Sequence, residues 1–503
     1  MKTFDVTTMR HLDQIAIEEK GITAEKLMER AGNGAAQIIL QFIKKYDSSH
    51  IRRFVIVTGS GNNGGDGFVI ARYLAENTAN EVIIFSASPL NEIKSPTSFF
   101  HAKLTPQSVM IKPLRELFLK DGDVVIDCLL GTGFNGELKE LFKTTIEQIN
   151  SFGGPIIAID IPSGLNGDTG VVASSSIKAD LTVTIGYPKI GFFKNDGPSF
   201  CGTLRCVDIG IESYNTTSLL DTIFLSDAKK YFKKEKYNSH KKTRGSVLVI
   251  GGSALYGGAP ILSSLSALRA GCGMSRVITA NQRFVNYPAS LIVHFIDNQD
   301  GFYDIKIDSI RRLIDESNSV VVGPGLSEDW RNNDFLTNLL NVEKPIVIDA
   351  GALNIISNNR HIYQCNGIRI MTPHPGEMKR LLKGFGLDKY IGMERHLQAL
   401  NLAKTTKSFV VLKGFQTIVA SPDGRYRVNT SGNINLATAG SGDCLAGIIA
   451  SYINKIDDCF DAISAAVFIH GLAGELSENG TGTISDDLPS LIPKAIKMIS
   501  ANG

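Results

Sequence analysis

Cysteine is scarce and unpatterned: seven residues, an odd number, with no C-x-x-C pair anywhere in the chain. That argues against a disulfide framework or a zinc ribbon and fits a reduced compartment. Charge of one sign is also missing. The formal net charge is +2, which gives no reason to expect nucleic acid or membrane partners. No apolar run approaches the ~18 residues of a membrane span. The opening MKTFDVTTMRHLDQ has no apolar signal core. A soluble, cytoplasmic protein is expected. Glycine, by contrast, is in excess, with 49 residues against a usual ~7%, and much of it follows apolar runs. A chain of 503 residues is too long for one core, so two or three domains are expected.

The stretch 432–450, GNINLATAGSGDCLAGIIA, runs from a small-residue loop into a helix. Ala439, Gly440, Ser441 and Gly442 leave the backbone almost bare. Beyond Asp443, apolar residues recur at Leu445, Ile448, Ile449 and Tyr452, a helical spacing. The first amides of such a helix lack partners and face the positive end of its dipole, which suits a phosphate. A carboxylate beside a phosphate is repelled unless it acts as a base on an attacking hydroxyl. Asp443 reads equally well as a capping residue after a glycine turn.

Taken from the start, 7–20 and 24–45 read as helices. An apolar run at 54–58 leads into GSGNNGGDG, 59–67, and then a helical pattern over 68–76. Strand, glycine loop and helix is the arrangement of doubly wound α/β sheets. The loop is neither the dinucleotide fingerprint nor a Walker A motif, which needs a Lys. Further strands are expected at 81–86, 123–129, 155–161 and 181–185. Two of them end in glycine loops, DCLLGTGFNGE (127–137) and DIPSGLNGDTG (160–170). Loops at the carboxyl ends of parallel strands converge on one crevice. Asn63, Asp66, Asp127, Asp160 and Ser163 should therefore line one site, unless they serve only as turn formers.

From 211 to 242 the pattern fades. The Lys-rich stretch 228–244 is a solvated linker or a basic patch, and the boundary falls near 215–240. The second half resumes with expected strands at 246–250, 275–279, 319–322, 345–349 and 367–371. A helix should begin with Pro260 in its first position and end at Gly271. The segment FVVLKGFQTIVASPDG, 409–424, reads as strand, Lys-Gly turn, strand. His374, between two prolines in TPHPGE, cannot sit mid-helix. With Glu377 it could ligate a metal, but no His or Cys cluster joins them, so a substrate-contacting loop is the better reading.

NNGGDG, LLGTG and DIPSGLNGDTG, in this order after LMERAG (27–32), resemble the NAD(P)H-hydrate epimerase domain over about residues 5–212. GSVLVIGGSALYGGAP (245–260), VVVGPGL (320–326), RIMTPHPGEMKRLL (369–382), the KG turn and the GSGD loop resemble the ribokinase-like, ADP-dependent NAD(P)H-hydrate dehydratase family over about 238–500. The resemblance implies two doubly wound α/β domains, a Rossmann-like one over 1–215 and a ribokinase-like one over 225–503. It further implies repair of hydrated nicotinamide cofactors. The first domain would interconvert the R and S hydrates of NADH or NADPH. The second would dehydrate the S form with ADP as co-substrate and Mg²⁺ on the phosphates.

By position, hydrate binding in the first domain would fall to Asn62, Asn63, Gly64, Gly65 and Asp66, to Gly131, Thr132, Gly133, Phe134, Asn135, Gly136 and Glu137, and to Asp160. Asp160 is the acid/base candidate. Asn63, Asp127 and Ser163 would hold K⁺, although a purely structural Asp127 is nearly as plausible. In the second domain Ala259, Gly325, His374 and Asp443 would contact the hydrate. Lys413, Gly414, Phe415, Gln416, Thr417 and Gly442 would contact nucleotide, with Asp443 as catalytic base. A homo-oligomer is expected. The competing readings are an ATP-dependent kinase of a small alcohol and a non-catalytic first domain.

Overall fold

The computed structural model describes all residues except 45–49, 215, 219, 232–238, 281–286, 297–304, 364–365 and 502–503. The chain divides into two compact units, Met1–Asp221 and Thr222–Gly503. Of the Lys-rich stretch 228–244, residues 232–238 lie outside those described, and Lys241 and Lys242 are exposed.

In the first unit seven of the described strands form one parallel sheet. Their order is Met110–Pro113, Glu81–Ser86, Arg53–Thr58, Asp123–Cys128, Ile156–Ile159, Leu181–Ile185 and Thr203–Val207. The inner strands read as unbroken apolar runs because both faces are covered. Phe54 and Ile56 join a core with the helices Val6–Glu18, Ala24–Ile43 and Asn62–Asn77, while Val55 and Val57 join Ile146 and Ile149 of Glu140–Asn150. This is the two-residue alternation of a strand. Strand order reverses between Arg53–Thr58 and Asp123–Cys128, and that reversal opens the crevice where doubly wound sheets bind ligands.

One expectation needs correcting here. The glycine-rich 62–67 is not loop but the first turns of the helix Asn62–Asn77. Its glycines serve packing rather than unusual dihedrals. A Cβ on Gly64 would lie 2.1 Å from the Gly59 carbonyl oxygen, one on Gly65 2.4 Å from Met28 Sδ, and one on Gly67 2.9 Å from Thr58 Cγ2.

In the second unit seven parallel strands run in the order Phe409–Leu412, Arg369–Met371, Ile346–Ile348, Ser319–Val322, Ser246–Gly251, Met274–Thr279 and Ile292–Phe295. Ile418–Ala420 and Tyr426–Asn429 extend the first of these antiparallel. The order reverses between Ser246–Gly251 and Ser319–Val322, again marking a crevice. The helix Ser441–Tyr452 buries Leu445, Ile448, Ile449 and Tyr452. It crosses Gly258–Arg269 so closely that a Cβ on Gly447 would lie 1.9 Å from the Ser263 carbonyl oxygen. Pro260 takes the third rather than the first position of Gly258–Arg269, where its missing N–H still costs no intrahelical bond. Gly271, at φ 96°, follows the helix in the left-handed conformation common there. The strands Met110–Pro113, Thr203–Val207, Ile292–Phe295 and Tyr426–Asn429 were not expected. Met110–Pro113 and Ile292–Phe295 are half-buried or exposed at every position, and the other two mix buried with half-buried positions, so none reads as a fully buried apolar run.

Candidate active sites

In the second unit, Gly440 caps the helix Ser441–Tyr452 at φ 89°, without a side-chain cap bond. An added Cβ there would sit 2.6 Å from Ser485 Oγ, so dihedral and space both demand glycine. Asp443 is therefore not the cap but the third helical residue. The amides of Gly442 and Asp443 find no acceptor among the described residues. Below Gly442 lies Lys413, whose Nζ would be 3.1 Å from a Cβ on that glycine.

Lys413 follows the strand Phe409–Leu412 and ties the site together. Its Nζ donates to Asp349 Oδ1 at 2.7 Å and stands 3.8 Å from Glu377 Oε2. Thr372 Oγ1 donates to the same Asp349 oxygen at 2.7 Å. Burial alone would lower the Lys413 ammonium, but Asp349, Glu377 and Asp443 outweigh it and hold it above its ordinary range. Burial, with Asp349 adding to it, pushes the Asp443 carboxyl up to about 7 against the pull of Lys413. Asp443 is thus a carboxyl that changes charge near neutral pH, as a general base should. Beneath it His470, driven down to about 4 by burial, stays neutral and donates from Nε2 to the Ser441 carbonyl at 2.9 Å.

His374 caps the helix Pro375–Gly384 in a capping box. Its amide donates to Glu377 Oε2 at 2.8 Å, and its Nδ1 accepts from the Gly376 amide at 3.0 Å. Among the described residues no three His, Cys, Asp or Glu side chains form a metal-binding group. Gly325, at φ 66°, would bring a Cβ within 3.2 Å of Ala259 Cβ, which places both at the strand reversal. The turn 413–417 has Gly414 at φ 135° and Gln416 at φ 54°. Arg395 clasps it, donating to the carbonyls of Phe415 at 2.7 Å and of Leu412 and Lys413 at 3.2 Å. Asp349, Glu377 as a charged neighbour, and Arg395 all escaped the sequence reading. For Asp349 a signal existed: IVIDAG, an Asp closing a buried apolar strand, is the pattern that singled out Asp160.

In the first unit a cavity of about 880 Å³ opens at the strand reversal. Asn62, Asn63, Gly64 and Asp66 line it from the helix start, and Gly131, Thr132, Gly133, Phe134 and Asn135 from the next loop. Asp160 completes that set, with its backbone in the left-handed region at φ 65°. Three expected residues do not line it. Gly65 faces Met28 and Ser98, and Gly136 and Glu137 are exposed farther along the loop.

Asp127 and Ser163 sit behind the lining, fully buried. Asp127 Oδ1 accepts from Ser163 Oγ at 2.6 Å and the Leu129 amide at 3.1 Å, and its Oδ2 accepts from the Ser163 amide at 2.8 Å. Burial pushes this carboxyl up to about 6 despite those bonds. Asn63 Nδ2 donates to the Leu130 carbonyl at 2.8 Å, and Ser163 Oγ accepts from the Leu130 amide at 2.8 Å. Asn63 Oδ1 is buried with no partner.

The cavity residues that the sequence does not reveal include Asp13 and Lys189. Lys189 is buried and ion-pairs with Asp160, and its Nζ also donates to Thr184 Oγ1 at 3.0 Å and the Ile185 carbonyl at 3.2 Å. Nothing in its surroundings, GYPKIGF, marks it. Asp13 lies on the helix Val6–Glu18 in the stripe of Met9, Arg10 and Ile17 that faces the cavity.

Comparison with known proteins now bears on both sites. Residues 24–191 match the YjeF-related protein N-terminus family, and residues 247–497 match the NAD(P)H-hydrate dehydratase family. The bifunctional NAD(P)H-hydrate repair enzyme Nnr of Thermofilum pendens is 33% identical over 99% of this chain and 97% of its own length. The protein of that name from Escherichia coli K12 is 30% identical over 97% of this chain and 92% of its own. A ribokinase-like superfamily structure from Enterococcus faecalis V583 covers 57% of this chain and 99% of itself, at 23% identity and a TM-score of 0.50. That likeness concerns fold alone. No described helix is long and apolar enough to cross a membrane. With two family matches in sequence order and relatives alike from end to end, the chain belongs to the bifunctional NAD(P)H-hydrate repair enzymes.

Proposed function

We propose that this chain repairs nicotinamide cofactors hydrated at C6, with the first unit interconverting the R and S hydrates and the second dehydrating the S hydrate at the expense of ADP. The observation that carries the second half is Asp443: a carboxyl held near neutrality, at a helix start with open amides, beside the half-buried ammonium of Lys413. Asp443 takes the proton of the C6 hydroxyl as its oxygen attacks the terminal phosphorus of ADP. AMP departs, the C6–O bond then breaks with phosphate as the leaving group, and C5 gives up a proton to water as its C–H pair forms the C5=C6 bond of NAD(P)H. Lys413 and the Gly442 and Asp443 amides stabilise charge on the transferring group. The 413–417 turn and Gly442 hold the nucleotide, while Ala259, Gly325 and His374 hold the hydrate. Mg²⁺ would arrive on the phosphates with its waters, since the described residues form no ligand cage for it.

In the first unit the hydrate occupies the cavity against Asp160. Asn63, Asp127 and Ser163 would hold K⁺. The unpartnered Asn63 Oδ1 beside the buried Asp127–Ser163 pair fits a cation of that kind. K⁺, when bound, supplies positive charge to the buried Asp127 carboxylate.

The test is incubation of the whole chain with mixed NADH hydrates and ADP. Restored NADH, AMP and phosphate should appear in equal amounts, and both epimers should be consumed. Accumulation of a phosphorylated alcohol instead would establish the kinase alternative. Persistence of the R hydrate would make the first unit a binding module.

A further inference from the structure

Asp160 is not alone in its cavity. Asp13, from the helix Val6–Glu18, and Asp66, from the helix Asn62–Asn77, line the same space, and Lys189 is the buried ammonium among them. The nitrogen of Lys189 is fully committed, to Asp160, Thr184 Oγ1 and the Ile185 carbonyl. It therefore holds Asp160 in place. Asp66 is only 7% exposed, and neither Asp13 nor Asp66 makes a side-chain hydrogen bond among the described residues. The other cations on the cavity wall are Arg10, Lys94 and Lys139, and Arg10 is engaged with the Thr132 carbonyl at 3.1 Å.

A reaction that inverts C6 needs a proton delivered as well as one removed. Asp160, paired with an ammonium, is suited to removal. Of the two remaining carboxyls, Asp66 is sealed in the helix start, whereas Asp13 is half-buried and can reload from solvent. We propose that Asp13 is the proton donor of the epimerase site and Asp160 its proton acceptor. This rests on reading the cavity as the site of epimerisation.

Asp13 gives its proton to the C6 hydroxyl. The C6–O bond breaks with its electron pair on oxygen, water leaves, and the ring nitrogen lone pair forms the N1=C6 bond. A water molecule then adds to C6 from the other face, the N1=C6 pair returns to nitrogen, and Asp160 takes the proton. Solvent exchange restores Asp13 and Asp160 to their starting states. The surroundings of Asp13 suit a donor that holds its proton until it is needed. Burial pushes Asp13 up to about 6, with Asp160 adding and Lys189 opposing. Burial, joined by Asp160, raises Asp66 well above its ordinary range, so that it stays neutral. Acid and base set apart by environment is the usual solution for carboxyl pairs.

The test measures conversion of pure R hydrate to S by the full chain without ADP. Asp13→Asn should lower kcat by about 10²–10⁴, the span of a proton donor, with KM changed by no more than a few-fold. It should also abolish the fall in rate on the alkaline side, and Asp13→Glu should recover part of the rate. In ¹⁸O-labelled water the wild type should place one solvent oxygen in each new epimer. A variant within about threefold of wild type, or an epimer without label, overturns the proposal. Asp160→Asn separates the two levels of inference. If Asp160→Asn is inactive while Asp13→Asn is not, only the donor assignment fails. If both keep the wild-type rate, the cavity is not the epimerase site. Should Asp13→Asn fail to fold, as read by its melting curve, the wild-type pH profile decides, and absence of an alkaline fall refutes the assignment.

Discussion

Asp443→Asn is expected to make the protein less active and, above neutral pH, more stable. The Asp443 carboxyl stands at about 7 instead of 3.8, through burial first and Asp349 second. An acid raised in the folded state binds its proton there more tightly than in the unfolded chain. Stability therefore falls as pH rises from about 4 to about 7, and the loss is complete above that. A displacement of this size corresponds to roughly 4 kcal/mol, an upper figure because the side chain keeps some contact with solvent. Asn carries no such term. In urea melts the transition of the second unit should lose stability between pH 5 and pH 8 in the wild type and much less in the variant. NADH recovery from pure S hydrate and ADP should meanwhile fall by about 10²–10⁴. In the wild type that recovery should rise with pH through about 7 as Asp443 ionises. Equal pH dependence of stability in both proteins would show that Asp443 is ordinary. Activity within a few-fold of wild type would remove it from the mechanism.

Three further outcomes follow from the same geometry. Gly442→Val places a branched side chain within reach of Lys413 Nζ, 3.1 Å from the Cβ position, and should weaken ADP binding measured by calorimetry by about 1–3 kcal/mol; unchanged affinity would put the phosphates elsewhere. Lys413→Met strands the buried Asp349 carboxylate and should cost about 3–5 kcal/mol in denaturant melts, where a loss under 1 kcal/mol would mean that Asp349 is held by Thr372 alone. Asp160→Asn should leave recovery from pure S hydrate at the wild-type rate but halt recovery from mixed epimers once the S fraction is spent, since each unit has its own core; impaired use of pure S hydrate would show the two activities to be coupled.

The inner strands could be read from the chain because a parallel strand buried on both faces must be apolar throughout, as RFVIVT and SVLVIG are. The helix after GSGD could be read because its buried face recurs at helical spacing. Strands at or near sheet edges escaped for the converse reason: IVHF and YRVN keep partly exposed positions. NNGGDG reads as loop because glycine is a poor helix former, and only the neighbours that crowd it reveal why it is there. Lys189 and Asp13 reach their cavity from loop and helix positions with no local pattern. Arg395 reaches the 413–417 turn from 18 residues before Lys413, a contact that no short motif records.

The glycines of the helix Asn62–Asn77 also bear on how this protein can change over time. In an ordinary helix interior, glycine to alanine is a gain of about 1 kcal/mol, so drift should steadily replace such residues. Here that gain is blocked three times over, each time by a different neighbour. The carbonyl oxygen of Gly59, 2.1 Å from a Cβ on Gly64, is backbone and has nowhere to go. Thr58 and Cys128 stand against Gly67 from two adjacent strands. Against Gly65 stands the flexible thioether of Met28, together with Ser98 Oγ. Of the three positions, Gly64 is the one whose nearest obstacles are all backbone, so that no side-chain change elsewhere could admit a methyl group there. Since the obstacles are unrelated, no single compensating change elsewhere releases all three, and the helix keeps a locally poor sequence for as long as its first turn must lie this close to the strands.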